Sequence, residues 1–407
     1  MPVIDQIELF HVTVPLPAPF EPAWVPGGAR TKTSFYLIHL VTDDGVDGWS
    51  AFSASGRERA GIGDSLAGLF LGKDPTDIDM VHERIKIMAV GGIRNWWIEP
   101  AFWDIKAKIA GLPLYRLLGG TDDTIRLYLS SGEVRGLSER REEAEARLEE
   151  GFGTMKVRVH DWDEQVDIAQ IQDIATHMAG RMSIAVDCNQ AFRLTQHGDA
   201  PLWDLPRAKR FADAAADVGL AWVEEPLFME WYEAMAELTA YSRVPIAGAE
   251  LHTAGYPELK YMVEKRCYAV FQPDAMWAGG IRQCMQVAEL CRQHGLKFSP
   301  HSWGNGIGFI VNAHIMAASG FAGEMPFEFP YCPPGWTIEA RDALLEAPWQ
   351  HDRGSFHMPT APGLGFAIDQ KALSQFGACF FRAKRRESHW MPEALMGVVG
   401  TREQKKS

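Results

Sequence analysis

Along the second half of the chain, short apolar runs alternate with longer stretches whose apolar positions recur every three to four residues. The short runs read as strands buried on both faces, and the longer stretches as amphipathic helices. IRLYLSSG, TMKVRV, MSIAVD, AWVEEP, VPIAGAE, AVFQPDAM, LKFSPHS and PFEFPY are the strand-like runs, with helices expected over 138–151 and 164–179 between the first three. Strand then helix, repeated, calls for a parallel sheet closed into a barrel by outer helices. Seven of the runs end in, or nearly in, a polar residue: Lys156, Asp187, Glu224, Glu250, Asp274, His301 and Glu328. Successive endings lie 24 to 37 residues apart, the length of one strand, one helix and two loops. The longest gap, between Asp187 and Glu224, is expected to hold a local insertion over 192–206 with a Gly198-Asp199-Ala200-Pro201 turn. In a parallel barrel the C-terminal strand ends share one rim, so these seven residues are expected to converge on one small volume.

The first part of the chain has a different grammar. A strand from Ile4 to Val14 is followed by a loop rich in proline and glycine (Pro15, Pro17, Pro19, Pro22, Pro26, Gly27, Gly28) and a second strand from Phe35 to Val41. A turn at Asp43-Asp44-Gly45 and a third strand through Gly48 and Trp49 complete an antiparallel meander. Helical periodicity then takes over, in a segment N-capped by Asp74 with Pro75 at its first position, running to about Lys86, and again over Glu99 to Ala110. This part is α+β.

At 407 residues, 46% apolar and 23% charged, the chain has material for a large core, and it contains no uninterrupted apolar run of membrane-spanning length. Its start lacks a basic segment followed by an apolar stretch and a small-residue cleavage site, so a cytoplasmic enzyme is expected. Six cysteines without a CxxC pair argue against a disulfide framework and a structural zinc site; they read as buried thiols. A net charge of −13 disfavours nucleic acid as a partner. The basic clusters Arg382 to Arg386 and Lys405 to Lys406 read as helix surface and solvated tail.

Asp187, Glu224 and Glu250 end three consecutive predicted strands, each after apolar residues. One such acid is more often a helix cap. Three in succession are hard oxygen ligands that leave coordination positions open, which suits Mg²⁺ or Mn²⁺ better than zinc. Glu225 directly follows Glu224 and in a regular strand points the other way, so only one of the pair faces the site. Asn189 and His252 sit just beyond two of the acids and fit loop capping as well as a role at the site. Asp274 and His301 end the next two strands, and a carboxylate beside an imidazole orients it as a general base; the following SWGNG turn opens backbone toward a ligand. Lys156 and Arg158 share one strand face, and on a barrel rim they oppose the metal and hold an anionic substrate.

With these residues in view the chain resembles the enolase superfamily, and within it the mandelate racemase and muconate lactonizing enzyme family. The resemblance runs nearly full length through PAFWDIKAKIAGLPLYRLLGG, MKVRV, VDCNQAF, WVEEP, QPDAMWAGGI, SPHSWGNGIG and PFEFPY. It implies a modified TIM barrel, (β/α)7β, over 124–350, an N-terminal α+β capping domain over 1–123, and a C-terminal segment, 351–407, that packs back on the capping domain. The capping loops, Phe20 to Lys32 and Gly48 to Arg57, are expected to close over the barrel. The implied chemistry is removal of the proton α to a carboxylate, with the resulting enediolate stabilised by Mg²⁺. Asp187, Glu224 and Glu250 match the metal ligands, Asp274 and His301 the Asp-His dyad, Glu328 the acid that hydrogen-bonds a substrate carboxylate oxygen, and Lys156 the first lysine of a Lys-x-Lys motif. A homo-oligomer is also implied.

Two departures matter. The second lysine of that motif, the base in racemases, is Arg158 here, and a guanidinium is a poor proton acceptor at neutral pH. Asn189 stands where some acid-sugar dehydratases of the family carry a histidine. A racemase needs bases on both faces of the α-carbon, whereas dehydration can run with His301 as base and then as acid. The leading expectation is therefore a Mg²⁺-dependent dehydratase giving a 2-keto-3-deoxy acid, with a racemase, epimerase or cycloisomerase as the alternative. Arg30, Lys32, Ser53, Ser55 and Arg57 of the capping loops could meet substrate hydroxyls, and Trp24 with Phe20 could equally cover an apolar ligand. A metal-free barrel glycosidase and a non-catalytic protein of the same fold are more remote alternatives. The absence of an HxH pair excludes a zinc amidohydrolase.

Overall fold

The computed structural model describes residues 1–54, 56, 58–90, 92, 94–192 and 200–386; Ser55, Arg57, the Gly198-Asp199 part of the expected turn and the Lys405–Lys406 cluster lie outside the described residues. The chain opens with β1 (Ile4–Phe20), β2 (Arg30–Thr42) and β3 (Asp47–Ser53), then α1 (Ile62–Phe70), α2 (Ile78–Ala89), α3 (Glu99–Ala110) and the short α4 (Leu114–Leu117). Strand β1 does not stop at Val14. It runs through Pro15, Pro17 and Pro19, and its pairing with β2 shifts between Pro15 and Phe20. Proline lacks the ladder donor but is tolerated where a strand end is irregular, so the loop shrinks to 21–29.

Two helix expectations change. Helix α1 went unseen because the glycines of GIGDSLAGLF weaken its helical signal. Asp74 does not cap α2; its carboxylate accepts from the backbone of Thr76 at 2.8 Å in a preceding turn, and Asp77 caps the helix by accepting from Met80 N at 3.0 Å.

From residue 124 the strands and helices alternate. They run β4 (Thr124–Ser130), α5 (Leu137–Glu149), β5 (Thr154–Arg158), α6 (Glu164–His177), β6 (Ser183–Asp187), α7 (Leu205–Asp217), β7 (Val223–Glu224) and α8 (Tyr232–Tyr241). Then follow β8 (Ile246–Gly248), α9 (Tyr256–Glu264), β9 (Val270–Phe271), α10 (Gly280–His294), β10 (Lys297–Phe298), α11 (Gly306–Ser319) and β11 (Phe327–Pro330). These eight strands are parallel neighbours in the order β10-β9-β8-β7-β6-β5-β4-β11, so the last strand returns to the first. The remaining seam is bridged by Ser299 Oγ, which donates to Pro326 O at 2.8 Å, and by Ser302 Oγ, which donates to Glu328 O at 2.9 Å. A helix follows each of β4 to β10, whereas β11 is followed only by the four-residue α12 (Ile338–Arg341). The architecture is a (β/α)7β barrel with an N-terminal capping domain.

The C-terminal part holds β12 (Ser355–His357), α13 (Gln370–Phe376) and β13 (Gly377–Lys384). β12 pairs antiparallel with β4, and β13 joins the N-terminal sheet in the order β13-β1-β2-β3. Arg382 therefore lies in a strand, not on a helix or solvated tail, and its Nε donates to Glu8 Oε1 at 2.6 Å.

The polar strand ends also need correction. Asp187 and Glu224 do end β6 and β7, but Glu250 lies two residues past β8, and Asp274 and His301 lie three past β9 and β10. Lys156 and Glu328 lie inside β5 and β11. The sheet ladders are short, and the chain leaves them before the site residues are reached.

The N-terminal sheet meets α3 at Gly48, where a Cβ would overlap the carbonyl oxygen of Ala101 and lie 2.8 Å from Ile105 Cγ1. Gly48→Ala is expected to lower stability by about 2 kcal/mol or more, read from urea unfolding, because neither backbone can give way cheaply. An unchanged midpoint would contradict this packing.

Candidate active site

Three in-register strands build the core of the site. Arg158 pairs with Asp187 across β5 and β6, and Asp187 pairs with Glu224 across β6 and β7, which puts one cation and two acids in a row on the rim. Below them Tyr128, Ala185, Trp222, Ala247 and Val270 fill the barrel with apolar bulk and exclude water. Lys156, Arg158, Asp187, Glu224, Glu225, Glu250, Asp274, His301 and Glu328 are all buried.

Each acid has a partner within the chain, with one exception. Arg158 Nη1 donates to Asp187, and Lys156 Nζ donates to Glu224 and, at 2.8 Å, to Glu328 Oε1. Trp222 Nε1 and Gln272 Nε2 complete Glu224 by donating to its Oε2 at 3.0 and 2.8 Å. Ser302 N–H donates to Glu328 Oε2 at 2.7 Å. His301 stands between Asp274, whose Oδ2 lies 3.0 Å from Nδ1, and Glu250, whose Oε2 lies 3.1 Å from Nε2. The exception is Glu225. The strand ends at Glu224, and Glu225 adopts a left-handed backbone with φ of 46°, so strict alternation fails and its carboxylate is not turned to solvent. Its Oε2 is buried with no hydrogen-bond partner.

The electrostatics follow from this crowding. Burial raises the Asp187 carboxyl, Arg158 offsets only part of that, and Glu224 adds repulsion, leaving it pushed up to about 7. Burial also raises Glu250 and, with Glu250, Asp187 and Glu224 around it, lifts Glu225 well above the carboxylate range. Glu328 moves the other way: burial would raise it, but the Lys156 ammonium, His301 and Arg158 together outweigh burial and hold it low. Burial disfavours a charged His301, yet Glu250, Glu328 and the Asp274 hydrogen bond prevail and push the imidazole up to about 10.

Among the described residues no three His, Cys, Asp or Glu side chains converge as a closed metal cage. Arg158, Lys156 and His301 instead hold Asp187, Glu224 and Glu250 respectively. The donor set fits a divalent cation nonetheless. It offers hard carboxylate oxygens on adjoining strands, two of them destabilised as anions by burial and mutual repulsion, beside an orphaned carboxylate oxygen on Glu225.

Sequence-selected residues outside this ring have mixed fates. Asn189 has φ of 47°; its N–H donates to Asp187 Oδ1 at 2.8 Å, and its own Oδ1 accepts from Arg158 at 3.2 Å. His252 is turned to Glu258, 2.8 Å away. Trp24 packs on Trp303 and over the Arg158 guanidinium. Cys379 is exposed, whereas the other five cysteines are buried and free.

Several residues at the site were not anticipated. Ser130, the last residue of β4, and Ser131 just beyond it accept from Arg158 Nη2 and Nε through Oγ and the carbonyl, at 3.1 and 2.8 Å. The SSG ending of IRLYLSSG was the available signal. Asn312 Nδ2 donates to Asp274 Oδ1 at 2.8 Å, leaving Oδ2 for His301. Asn312 is a polar residue within the otherwise largely apolar GIGFIVNAHIMAAS helix, a signal that it serves a buried partner.

A capped (β/α)7β barrel whose rim gathers acids around an Asp-His pair defines a class of lyases and isomerases acting on carboxylates, and the comparisons with known proteins agree. Residues 6–119 match the mandelate racemase / muconate lactonizing enzyme N-terminal domain, and residues 139–372 match the enolase C-terminal domain-like model. The chain belongs to this family, and the glycosidase reading is dropped. It is 26% identical over 386 residues to the D-galactarolactone cycloisomerase of Agrobacterium fabrum, covering 89% of this chain and 95% of that protein. It is 28% identical over 389 residues to the L-talarate/galactarate dehydratase of Salmonella typhimurium, covering 91% and 90%. The crystal structure of L-talarate dehydratase from Polaromonas sp. JS666, complexed with Mg and L-glucarate, superposes with a TM-score of 0.78 at 25% identity, covering 94% of this chain and 99% of that one. Among the described residues no helix is long and apolar enough to cross a membrane.

Because Asp187 titrates near neutrality and the His301 proton is held by Glu250, a cation taken up by these acids displaces protons. Mg²⁺ affinity is expected to rise about tenfold or more from pH 6 to pH 8, as protons leave the acids, with net proton release in calorimetry across buffers of different ionisation heat. Affinity that is flat over that range contradicts the charge assignment.

Proposed function

We propose that the enzyme removes the proton α to the carboxylate of a sugar acid and expels the β-hydroxyl as water, and that the enol so formed tautomerises to a 2-keto-3-deoxy acid. Asp187, Glu224 and Glu250 would hold Mg²⁺, with Mn²⁺ as a substitute; when bound, the cation supplies Lewis-acid stabilisation of the negative charge that gathers on the substrate carboxylate. His301 Nε2 takes the α-proton once Glu250 is otherwise engaged, and Asp274 holds Nδ1 so that Nε2 faces the substrate. The same imidazolium then protonates the departing hydroxyl, so the proton leaves with the water. Glu328 would donate a hydrogen bond to a substrate carboxylate oxygen on taking up a proton, and Lys156 anchors Glu224 and Glu328 while adding positive charge beside the substrate. Asn189 and Trp24 contact the substrate from the rim and the capping loop. Residues 1–123 act as the cap and 124–350 as the catalytic barrel. The described part of segment 351–407 touches both, with β13 on the capping sheet and β12 on β4.

One observation carries the choice of dehydration: among the described residues, His301 is the one candidate base on the rim apart from the carboxylates. On the strand opposite His301, Arg158 has donors directed to Ser130, Ser131, Asp187 and Asn189, and it keeps its proton at any physiological pH. Lys156, the other amine among the described residues of the ring, is held charged: burial opposes this, but Glu224 and Glu328 together outweigh it. Epimerisation needs an acceptor on each face, whereas elimination needs one residue acting twice. The relationship to a cycloisomerase keeps intramolecular elimination as the second reading, since that chemistry also needs one base.

Proton NMR in D₂O with Mg²⁺ and pooled aldonates and aldarates tests the reaction. New C3 methylene signals of a deoxy keto acid, lost on EDTA treatment, are the expected result, and loss of the α-proton signal with the carbon skeleton retained would contradict it. His301→Asn is expected to slow turnover by about a thousandfold, within the usual range for a general base. Turnover at the parent rate in that variant would remove His301 from the reaction.

A further inference from the structure

The capping loop, residues 21–29, is held on its inner side. Trp24 packs edge-on against Trp303 with ring centroids 4.8 Å apart, and Phe20, just before the loop, stacks on Trp303 at 5.9 Å and tilts against Trp336 at 5.5 Å. The Arg158 guanidinium lies 5.3 Å from the Trp24 ring and 5.7 Å from the Trp303 ring, between loop and barrel. Gly132 and Gly335 leave room for this seat: a Cβ on Gly132 would run into the Phe20 ring, and one on Gly335 would lie 2.8 Å from Pro19 O. The backbone adds Ala23 N–H to Gly132 O at 2.8 Å and Glu21 N–H to Glu133 Oε1 at 2.9 Å. A cavity of about 740 Å³ also borders the loop, with Glu21, Pro22, Ala23, Pro26 and Gly27 on the loop side and Glu133 among the residues opposite.

We propose that Arg158 is a positioning residue that clamps the capping loop through Trp24, so that one guanidinium both orients Asp187 and keeps the loop docked on the barrel rim. A lysine in its place would keep the charge but not the planar face set against two indoles, nor the four directed contacts to Ser130, Ser131, Asp187 and Asn189. The inference stands independently of the reaction, because it depends on packing and not on a substrate. Its functional consequence is that the loop excludes water from the Arg158 side of the site only while the clamp is made.

Amide hydrogen exchange of the full-length protein, read by mass spectrometry over residues 20–29, tests it. Trp24→Ala and Arg158→Met are each expected to speed exchange in that segment by about three- to thirtyfold, the range a partly desolvated cation–π contact implies. Trp24→Phe, which keeps an aromatic face, is expected to restore most of the protection. The double variant should exchange no faster than the faster single one, since both changes remove the same contact. Should Arg158→Met fail to fold because Asp187 is left without its cation, Arg158→Lys takes its place and is expected to lie between parent and Trp24→Ala. Exchange within twofold of the parent in Trp24→Ala would overturn the proposal. So would effects that multiply in the double variant, because Arg158 would then be acting on the loop by some route other than Trp24.

Discussion

The crowding of buried like charge on one barrel rim governs this molecule. Asp187, Glu224, Glu225, Glu250, Glu328 and Asp274 are buried together, and Lys156 and Arg158 are the lysine and arginine that the barrel strands place among them. Two fixed cations and one imidazole cannot neutralise six acids in a water-poor site. The shortfall shows where coverage is thinnest: at Asp187 and Glu250, whose carboxyls are raised, and at Glu225, whose oxygen has no donor. A site built this way is relieved by a further positive charge, which suits it to a divalent cation.

The fold makes the crowding possible and directs it. Parallel register puts Arg158, Asp187 and Glu224 in one row, while short ladders let the chain leave the sheet early and carry Glu250, Asp274 and His301 inward on loops. The neighbours of each group then divide the labour. Glu328 and Glu224 are held anionic by Lys156, Asp274 is split between Asn312 and His301, and Arg158 is held by strand ends and indoles. The result is asymmetric, with an imidazole on one side of the rim and a permanently charged guanidinium on the other. That asymmetry, more than any single residue, separates elimination from racemisation in the proposed chemistry.

Much of this was legible in the amino-acid sequence because the barrel repeats one physical unit. Apolar strands with polar endings declared the parallel sheet and the seven rim residues, and helix α3 matched its expected span, Glu99 to Ala110. What failed was local. Pro15, Pro17 and Pro19 argued for a loop, yet an irregular strand end accommodates them, and the glycines of α1 hid a helix that packing stabilises. Glu225 escaped the alternation rule because its backbone turns left-handed where β7 stops, which periodicity does not encode. Ser130, Asn312 and Trp303 matter through partners 28, 38 and 173 residues away in the chain, and no local pattern announces such pairings. The role of Arg382 was misread for the same reason, since its strand partner lies at the opposite end of the sequence.

The most direct test of the charge account is a crystal structure of the protein soaked with Mn²⁺, with anomalous differences recorded at the manganese edge. A single strong peak ringed by Asp187, Glu224 and Glu250, with His301 released from Glu250 and Arg158 drawn back from Asp187, is the predicted result. A peak elsewhere, or none, with the Arg158–Asp187 and His301–Glu250 contacts intact, would mean that the chain's own cations satisfy this rim and that the account is wrong.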